Sequence, residues 1–324
     1  MGSAATVQEI GSKKIFFSDK KIILNTIKIK NSTLSNNLKV NIINELSDEK
    51  KIPTNVLLKH AKINSQEINK NDFFFAIKGR KNDGNKFISE AFNKKASIAI
   101  VNTINKKNNK KYQIKVSDTL KFLTKNSIIY RQNINANIIA ITGSCGKTTL
   151  KELLGNSLKQ VSKASISPKS YNNRYGVPLS LFNLNQKDDY GVLEIGMDKK
   201  GEIDYLSKIV QPDVSVITNI SYAHAKNFKN IKQIALAKSE IINNTKDNGF
   251  IVLNADDEFF WLHKKIAIKK NLKILSFGIR SKNSNIKLLN IKKQANKYKA
   301  FIKVNNFKTY FLIQNDFHNN ILNI

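Results

Sequence analysis

Residues Ile138–Thr149 read IIAITGSCGKTT. An apolar run closes on Thr142, a short loop carries Gly143 and Gly146, and Lys147-Thr148-Thr149 opens a helix-like segment that runs to Lys159. Strand, tight loop, Lys-Thr and helix are the parts of a phosphate cradle. The N–H groups of the loop and helix N-terminus point at the anion, the Lys places its charge on the β/γ-phosphates, and the next hydroxyl can ligate Mg²⁺. The general pattern has a Gly five residues before Gly146; Ile141 stands there. The plainer alternative is an ordinary strand–turn–helix corner. Gly143, Gly146, Lys147 and Thr148 in this context favour nucleotide binding, with Gly143, Ser144, Cys145, Gly146, Lys147, Thr148 and Thr149 around the phosphates.

From Asn137 onward, apolar strands alternate with amphipathic helices. Strands are predicted at 138–142, 191–196, 213–219, 249–253 and 272–277, and helices at 147–160, 201–210, 231–244 and 256–267. The alternation implies an α/β fold with a mostly parallel sheet covered on both faces. Beyond Lys282 the period changes to two, in runs 286–292, 298–304 and 307–313, as in antiparallel hairpins. Upstream, residues 72–77 read as a buried strand, 86–93 as a helix and 97–101 as a second strand, which makes a small α/β unit between about Pro53 and Arg131. The first fifty residues are rich in Lys, Asn and Ile and are expected to be an extension, with Asn31–Asn37 a polar linker.

Net charge is +31, which raises the question of a nucleic-acid partner. Arg80, Arg131, Arg174 and Arg280 are the four arginines; the rest of the positive charge is Lys, spread along the chain among Asn and Ile. Arg is the better reader of phosphate and guanine edges, and no stretch interleaves basic and aromatic residues. No specific nucleic-acid partner is expected. Cys145 is the single cysteine, no apolar run reaches membrane-spanning length, and no signal peptide is evident, so a cytoplasmic protein is expected.

Ligands of parallel sheets sit at the carboxyl ends of strands. Glu194 ends the second predicted strand, where a carboxylate is costly to bury unless paired or metal-bound. His224 follows the third by one short loop. Thr148, Glu194 and His224 can converge on Mg²⁺, although His is a less usual ligand for that ion. Lys238 lies on the apolar side of a predicted helix; its plainer reading is a lysine whose stem is buried and whose head reaches water.

These blocks, in this order, resemble the Mur ligases, ATP-dependent amide-forming enzymes of peptidoglycan synthesis. The resemblance is carried by Thr142–Thr149 (TGSCGKTT), Tyr171–Leu179 (YNNRYGVPL), Glu194–Gly196 with Gly201–Ile203, Thr218–Ile220 with Ala223-His224, Ala237–Ile241 (AKSEI) and Leu253–Asp256 (LNAD). The Asn-Asn-x-x-Gly-Val-Pro pattern, Phe73–Gly79 and Asp83–Phe87 are similar to the branch that adds D-alanyl-D-alanine. The resemblance implies that Lys147 and the loop amides hold ATP, that Thr148 and Glu194 bind one Mg²⁺, and that Glu194, His224 and a carbamylated Lys238 bind a second. It implies catalytic roles for Lys147, Glu194, His224 and Lys238. It places Asn172 and Asn173 toward UDP-N-acetylmuramoyl-tripeptide, Ser65 at the uridine, and Asn320 by the adenine. D-alanyl-D-alanine would be the incoming amine.

The domains implied are an extension over 1–50, a UDP-substrate domain over 51–135 and an ATP-binding domain over 136–324. The family's uridine-site Asp-Ser/Thr-Arg stands here as Asn64-Ser65-Gln66, its Leu-Glu-Gly after Ala-His as Ala225-Lys226-Asn227, and its His near the adenine is replaced by Asn319. The family's third domain is expected to lie beyond Ile324, so this chain is expected to bind its ligands with little turnover. Val7–Lys20 resembles the tail of the neighbouring ligase, which suggests a fragment of a fused polypeptide. The alternatives are another ligase of the folylpolyglutamate type, a basic P-loop ATPase acting on nucleic acid, and a non-catalytic binding fragment.

Overall fold

The computed structural model describes residues 17–18, 21–22, 38–47, 51–53, 55–79, 82–222, 227–294 and 297–314. The chain divides into two compact units, Met1–Asn133 and Ile134–Ile324. No described helix is long and apolar enough to cross a membrane.

The first unit contains a short hairpin, β1 (Phe17–Ser18) and β2 (Lys21–Ile22), and a helix α1 (Leu38–Leu46). Then come β3 (Ala61–Lys62), β4 (Phe73–Phe75), α2 (Ile88–Asn93), β5 (Ala99–Val101), β6 (Gln113–Lys115) and α3 (Thr119–Gln132). Strands β3-β4-β5-β6 form a parallel sheet in that order. Phe73, Phe74 and Phe75 are all fully buried because a parallel strand is covered on both faces. Phe74 packs with Ile88, Ala91, Ala99 and Val101. The expected strands and helix are present, the latter as a 3₁₀ turn (Gly84–Phe87) running into α2. Strands β3 and β6, of two and three residues, are too short to show a period. Helix α1 lies inside the stretch expected to be an extension; its Leu38, Val40, Ile42 and Ile43 are buried, and it packs on α3.

The second unit begins with β7 (Asn137–Thr142), α4 (Lys147–Val161), β8 (Ala164–Ile166), α5 (Gly176–Phe182), β9 (Tyr190–Glu194) and α6 (Glu202–Val210). It continues through β10 (Val214–Ile217), α7 (Ile231–Asn243), β11 (Phe250–Asn254), α8 (Phe260–Lys269) and β12 (Lys273–Gly278) to β13 (Ile286–Gln294), β14 (Lys297–Val304) and β15 (Phe307–Gln314). One nine-stranded sheet runs β15-β14-β13-β12-β11-β10-β7-β9-β8. It is parallel from β8 to β13 and antiparallel across β13-β14-β15, so the period-two runs extend the same sheet. The chain enters at β7, builds β8 and β9 on one side, then builds β10 to β12 on the other. The carboxyl end of β7 is therefore the switch point where such sheets open a crevice. Ile139 and Ile141 pack with Val192, Val216 and the i, i+4 row Leu150, Leu154 and Leu158 of α4.

Three local expectations shift. The helix predicted at 256–267 starts at Phe260. Residues 256–259 form a turn instead, because Asn254 Oδ1 accepts Asp256 N–H (2.9 Å) and Asp257 Oδ1 accepts Phe259 N–H (2.9 Å). The strand predicted at 191–196 ends at Glu194, and Gly196 N–H turns to the carbonyl of Asn172 (2.8 Å). Helix α5 has no expected counterpart: all seven of its residues are buried, so it has no polar face and shows no amphipathic period.

Ile141 is fully buried in the central strand. Ile141→Ala is expected to destabilise the second unit by ~2–5 kcal/mol, the usual range for such truncations, read from urea denaturation.

Candidate nucleotide-binding site

The loop after β7 follows the expected path. Gly143 (φ +146°) and Gly146 (φ +79°) occupy conformations that side chains rarely adopt. A Cβ on Gly143 would lie 1.9 Å from Thr218 Oγ1, so this position also needs the space. Helix α4 starts at Lys147 directly behind the loop.

Register levels the neighbouring strand ends with this loop. Glu194 pairs with Ile141 and Ile217 pairs with Thr142. The segment after β10 is stitched to the loop. Ser144 N–H donates to Asn219 O (2.9 Å), Cys145 N–H to Asn219 Oδ1 (3.0 Å), Thr218 Oγ1 to Cys145 O (2.6 Å) and Ser221 N–H to Ser144 Oγ (2.9 Å). Asp257 Oδ2 holds that segment from behind by accepting Ile220 N–H (2.7 Å).

Glu194 is buried at the crevice with both carboxylate oxygens engaged. Thr148 Oγ1 donates to Oε2 (2.7 Å) and Asn172 Nδ2 donates to Oε1 (2.8 Å). Thr148 and Glu194 thus present hard oxygen donors at a helix N-terminus, a set that suits Mg²⁺ beside phosphate. Thr142, fully buried at the foot of the loop, has a hydroxyl with no hydrogen-bond partner among the described residues. No cluster of three His, Cys, Asp or Glu occurs among the described residues. His224 and Asn320 lie outside the described residues, as do Ala223, Ala225 and Lys226.

Lys147 Nζ donates to the carbonyls of Gly143 (2.8 Å) and Ser144 (3.2 Å). Lys238 does not reach water: it is 2 % exposed, and its Nζ donates to the same Gly143 carbonyl (2.9 Å). Burial, reinforced by the nearby Lys147 charge and partly opposed by Cys145, pushes the Lys238 amine down to about 7. Burial also lowers Lys147, against the opposing pull of Glu194 and then Cys145.

The other expected residues divide. Asn172 meets Glu194 directly. Asn173 is exposed, and its Oδ1 accepts the N–H groups of Tyr175 (3.0 Å) and Gly176 (3.1 Å) at the start of α5. Ser65 is buried in the first unit, where its hydroxyl donates to Glu90 Oε2 (2.9 Å). Sequence reasoning quoted Asn219 within a motif but gave no role to it, and passed over Ser221, Asp257 and the buried Lys151. A polar run after an apolar strand was the available sign for the first three; none of them stands out by residue type.

A phosphate loop at the switch point of a parallel sheet, with Thr148 and Glu194 facing each other, defines a P-loop nucleotide-binding domain. Residues 141–323 match the Mur ligase middle domain, and the chain belongs to the Mur ligase family. It is 39 % identical over 238 residues to the UDP-N-acetylmuramoyl-tripeptide–D-alanyl-D-alanine ligase of Buchnera aphidicola, covering 73 % of this chain and 51 % of the relative. It is 35 % identical over 236 residues to the ligase of the same name from Rickettsia prowazekii, covering 72 % and 52 %. The fold superimposes on MurF from Acinetobacter baumannii with a TM-score of 0.75 at 28 % identity, covering 89 % of this chain and 62 % of that one. It also matches the MurF ligase of Thermotoga maritima solved with ADP, with a TM-score of 0.67 at 29 % identity, covering 80 % and 58 %. The chain spans about half the length of the curated relatives it matches.

Lys238 gives up its proton near 7 when folded, against an ordinary 10.5 when unfolded. Between those values the unfolded chain binds more protons, so this group's contribution to stability rises with pH; below 7 it is flat. In CO₂-free buffer, the wild type is expected to gain stability relative to Lys238→Met from pH 7 to 9, by at most ~1.4 kcal/mol per pH unit. Urea midpoints at several pH values measure this; parallel curves would refute it.

Proposed function

We propose that this chain is the nucleotide- and UDP-substrate-binding part of a UDP-N-acetylmuramoyl-tripeptide–D-alanyl-D-alanine ligase. The reading rests on the Thr148–Glu194 pair at the mouth of the phosphate loop, in a chain whose relatives carry that name. The reaction is amide formation through an acyl phosphate, in the cytoplasm. The tripeptide carboxylate attacks the γ-phosphorus and ADP leaves; the dipeptide amine then attacks the acyl carbon and phosphate leaves.

Residues 136–324 bind ATP and 51–135 the UDP-substrate, with Ser65 on the uridine side and Asn320 by the adenine. Lys147 exchanges its two carbonyl partners for β/γ-phosphate oxygens, at reduced cost because burial has already partly desolvated it. Thr148 and Glu194 hold one Mg²⁺; Glu194, His224 and a carbamylated Lys238 hold a second. Bound Mg²⁺ supplies positive charge where an anionic carboxylate approaches an anionic phosphate. A buried amine that loses its proton near 7 suits carbamylation: the neutral nitrogen bonds the carbon of CO₂ and releases one further proton, so that across the two deprotonations a cation becomes an anionic oxygen ligand. Asn172 and Asn173 face the muramoyl-peptide, Asn172 also steadying Glu194.

Isothermal calorimetry with ADP, with and without Mg²⁺, and with UDP-N-acetylmuramoyl-tripeptide tests the reading. Both ligands are expected to bind, and Glu194→Gln to lose at least tenfold in affinity for Mg·ADP. Binding of neither ligand, with ATP hydrolysis stimulated by DNA or RNA, would replace it with a nucleic-acid ATPase. Cys145 is exposed within the loop. Its alkylation is expected to block ADP sterically while Cys145→Ser retains binding, read by the same titration.

A further inference from the structure

Lys151 lies one turn along α4 from Thr148 and is fully buried. Burying an ammonium is costly unless its donors are met. Here two donors have carbonyl acceptors, Ser167 O (2.8 Å) and Lys169 O (2.5 Å), and the charge is paired with Glu152 Oε1 (3.1 Å). The two carbonyls flank Pro168, in the connection between β8 and α5. Lys169 has φ +48°, a conformation that costs a non-glycine residue and persists where neighbours enforce it.

That connection ends at Asn172. Tyr171 N–H donates to Pro168 O (3.2 Å) and Asn172 N–H to Ser170 O (2.8 Å), so the turn from 167 to 172 is closed on itself. At its start, Ser167 N–H donates to Val192 O (2.9 Å) and Ser167 Oγ accepts Glu194 N–H (3.3 Å). At its end, Asn172 O accepts Gly196 N–H and Asn172 Nδ2 donates to Glu194 Oε1. A Cβ on Gly196 would lie 2.9 Å from Asn172 Cγ, so the amide has little room to shift.

We propose that Lys151 is a positioning residue for the metal–nucleotide site: by gripping the carbonyls of Ser167 and Lys169 it fixes Asn172 on Glu194 and so aims the second carboxylate oxygen at Thr148. One helix thus holds Glu194 from two sides, directly through Thr148 and indirectly through Lys151 and the 167–172 turn. The role rests on the reading that Thr148 and Glu194 hold Mg²⁺ with the nucleotide.

Calorimetry of ADP with and without Mg²⁺ on the chain, its Lys151→Met and Asn172→Ala variants and the double variant tests it. Lys151→Met is expected to lose at least tenfold in the Mg²⁺-dependent gain in affinity, against less than threefold without metal. The double variant should lose no more than Asn172→Ala, because Lys151 acts through Asn172. A retained Mg²⁺ gain in Lys151→Met, or losses that multiply, would overturn the proposal. Where Lys151→Met does not fold, Lys151→Gln, which keeps part of the donor set, is read the same way.

Hydrogen exchange on the nucleotide-free protein separates this role from the nucleotide reading. If the wild type shows no Mg²⁺-dependent gain, that reading fails, and exchange still decides whether Lys151 governs Asn172. Lys151→Met should speed exchange at the amides of Asn172 and Gly196 at least tenfold while β10 and β11 stay protected. Unchanged exchange there, or a uniform rise across the chain, would show a general packing role.

Discussion

The site depends on how closely the loop after β7 approaches the segment after β10. Gly143 leaves no room for a methyl group against Thr218, and Ser144 and Cys145 bond into Asn219 and Ser221. This contact turns a flexible Gly-containing loop into a fixed ring of N–H groups and carbonyls. It forms because β10 is the neighbour of β7 in the sheet, although the paired residues Ile139 and Val214 stand 75 positions apart in the chain. Helix α4 then starts where the ring ends, and its N-terminal partial charge adds to that of Lys147.

Two lysines converge on one carbonyl. Lys147 and Lys238 both donate to Gly143 O, one from the loop's own helix and one from α7. Burial first, and then the neighbouring Lys147 charge, disfavour protonation of Lys238, so the more buried of the two amines yields. On the other side of β7 the buried carboxylate Glu194 is held by Thr148 and Asn172. The crevice therefore brings two amines and a buried carboxylate to the phosphate loop, a set suited to a polyanion carried with a cation.

Much of this was legible in the chain. The apolar runs around 139, 192, 216 and 251 are strands because each is buried within a sheet covered by helices, and the row Leu150, Leu154, Leu158 marks the inner face of α4. The loop could be read because its chemistry is local: Gly143, Gly146, Lys147 and Thr148 act within six consecutive positions. Helix α5 could not, because an all-buried helix and a buried strand look alike over seven residues. The start of α8 was misplaced because Asn254 and Asp257 cap a turn with their side chains, a bond that composition does not announce.

By itself, then, the sequence determined the class of fold, the phosphate loop and the candidates Glu194 and Lys238, since these follow from periodicity and from charged residues set in apolar stretches. Tertiary structure decided which of them meet. Thr148 reaches Glu194 across 46 positions, Asn172 reaches it across 22, and Lys238 reaches Gly143 across 95. Those meetings are set by strand order, with β9 and β10 on either side of β7, and strand order is a property of the packed sheet that no local window of residues contains.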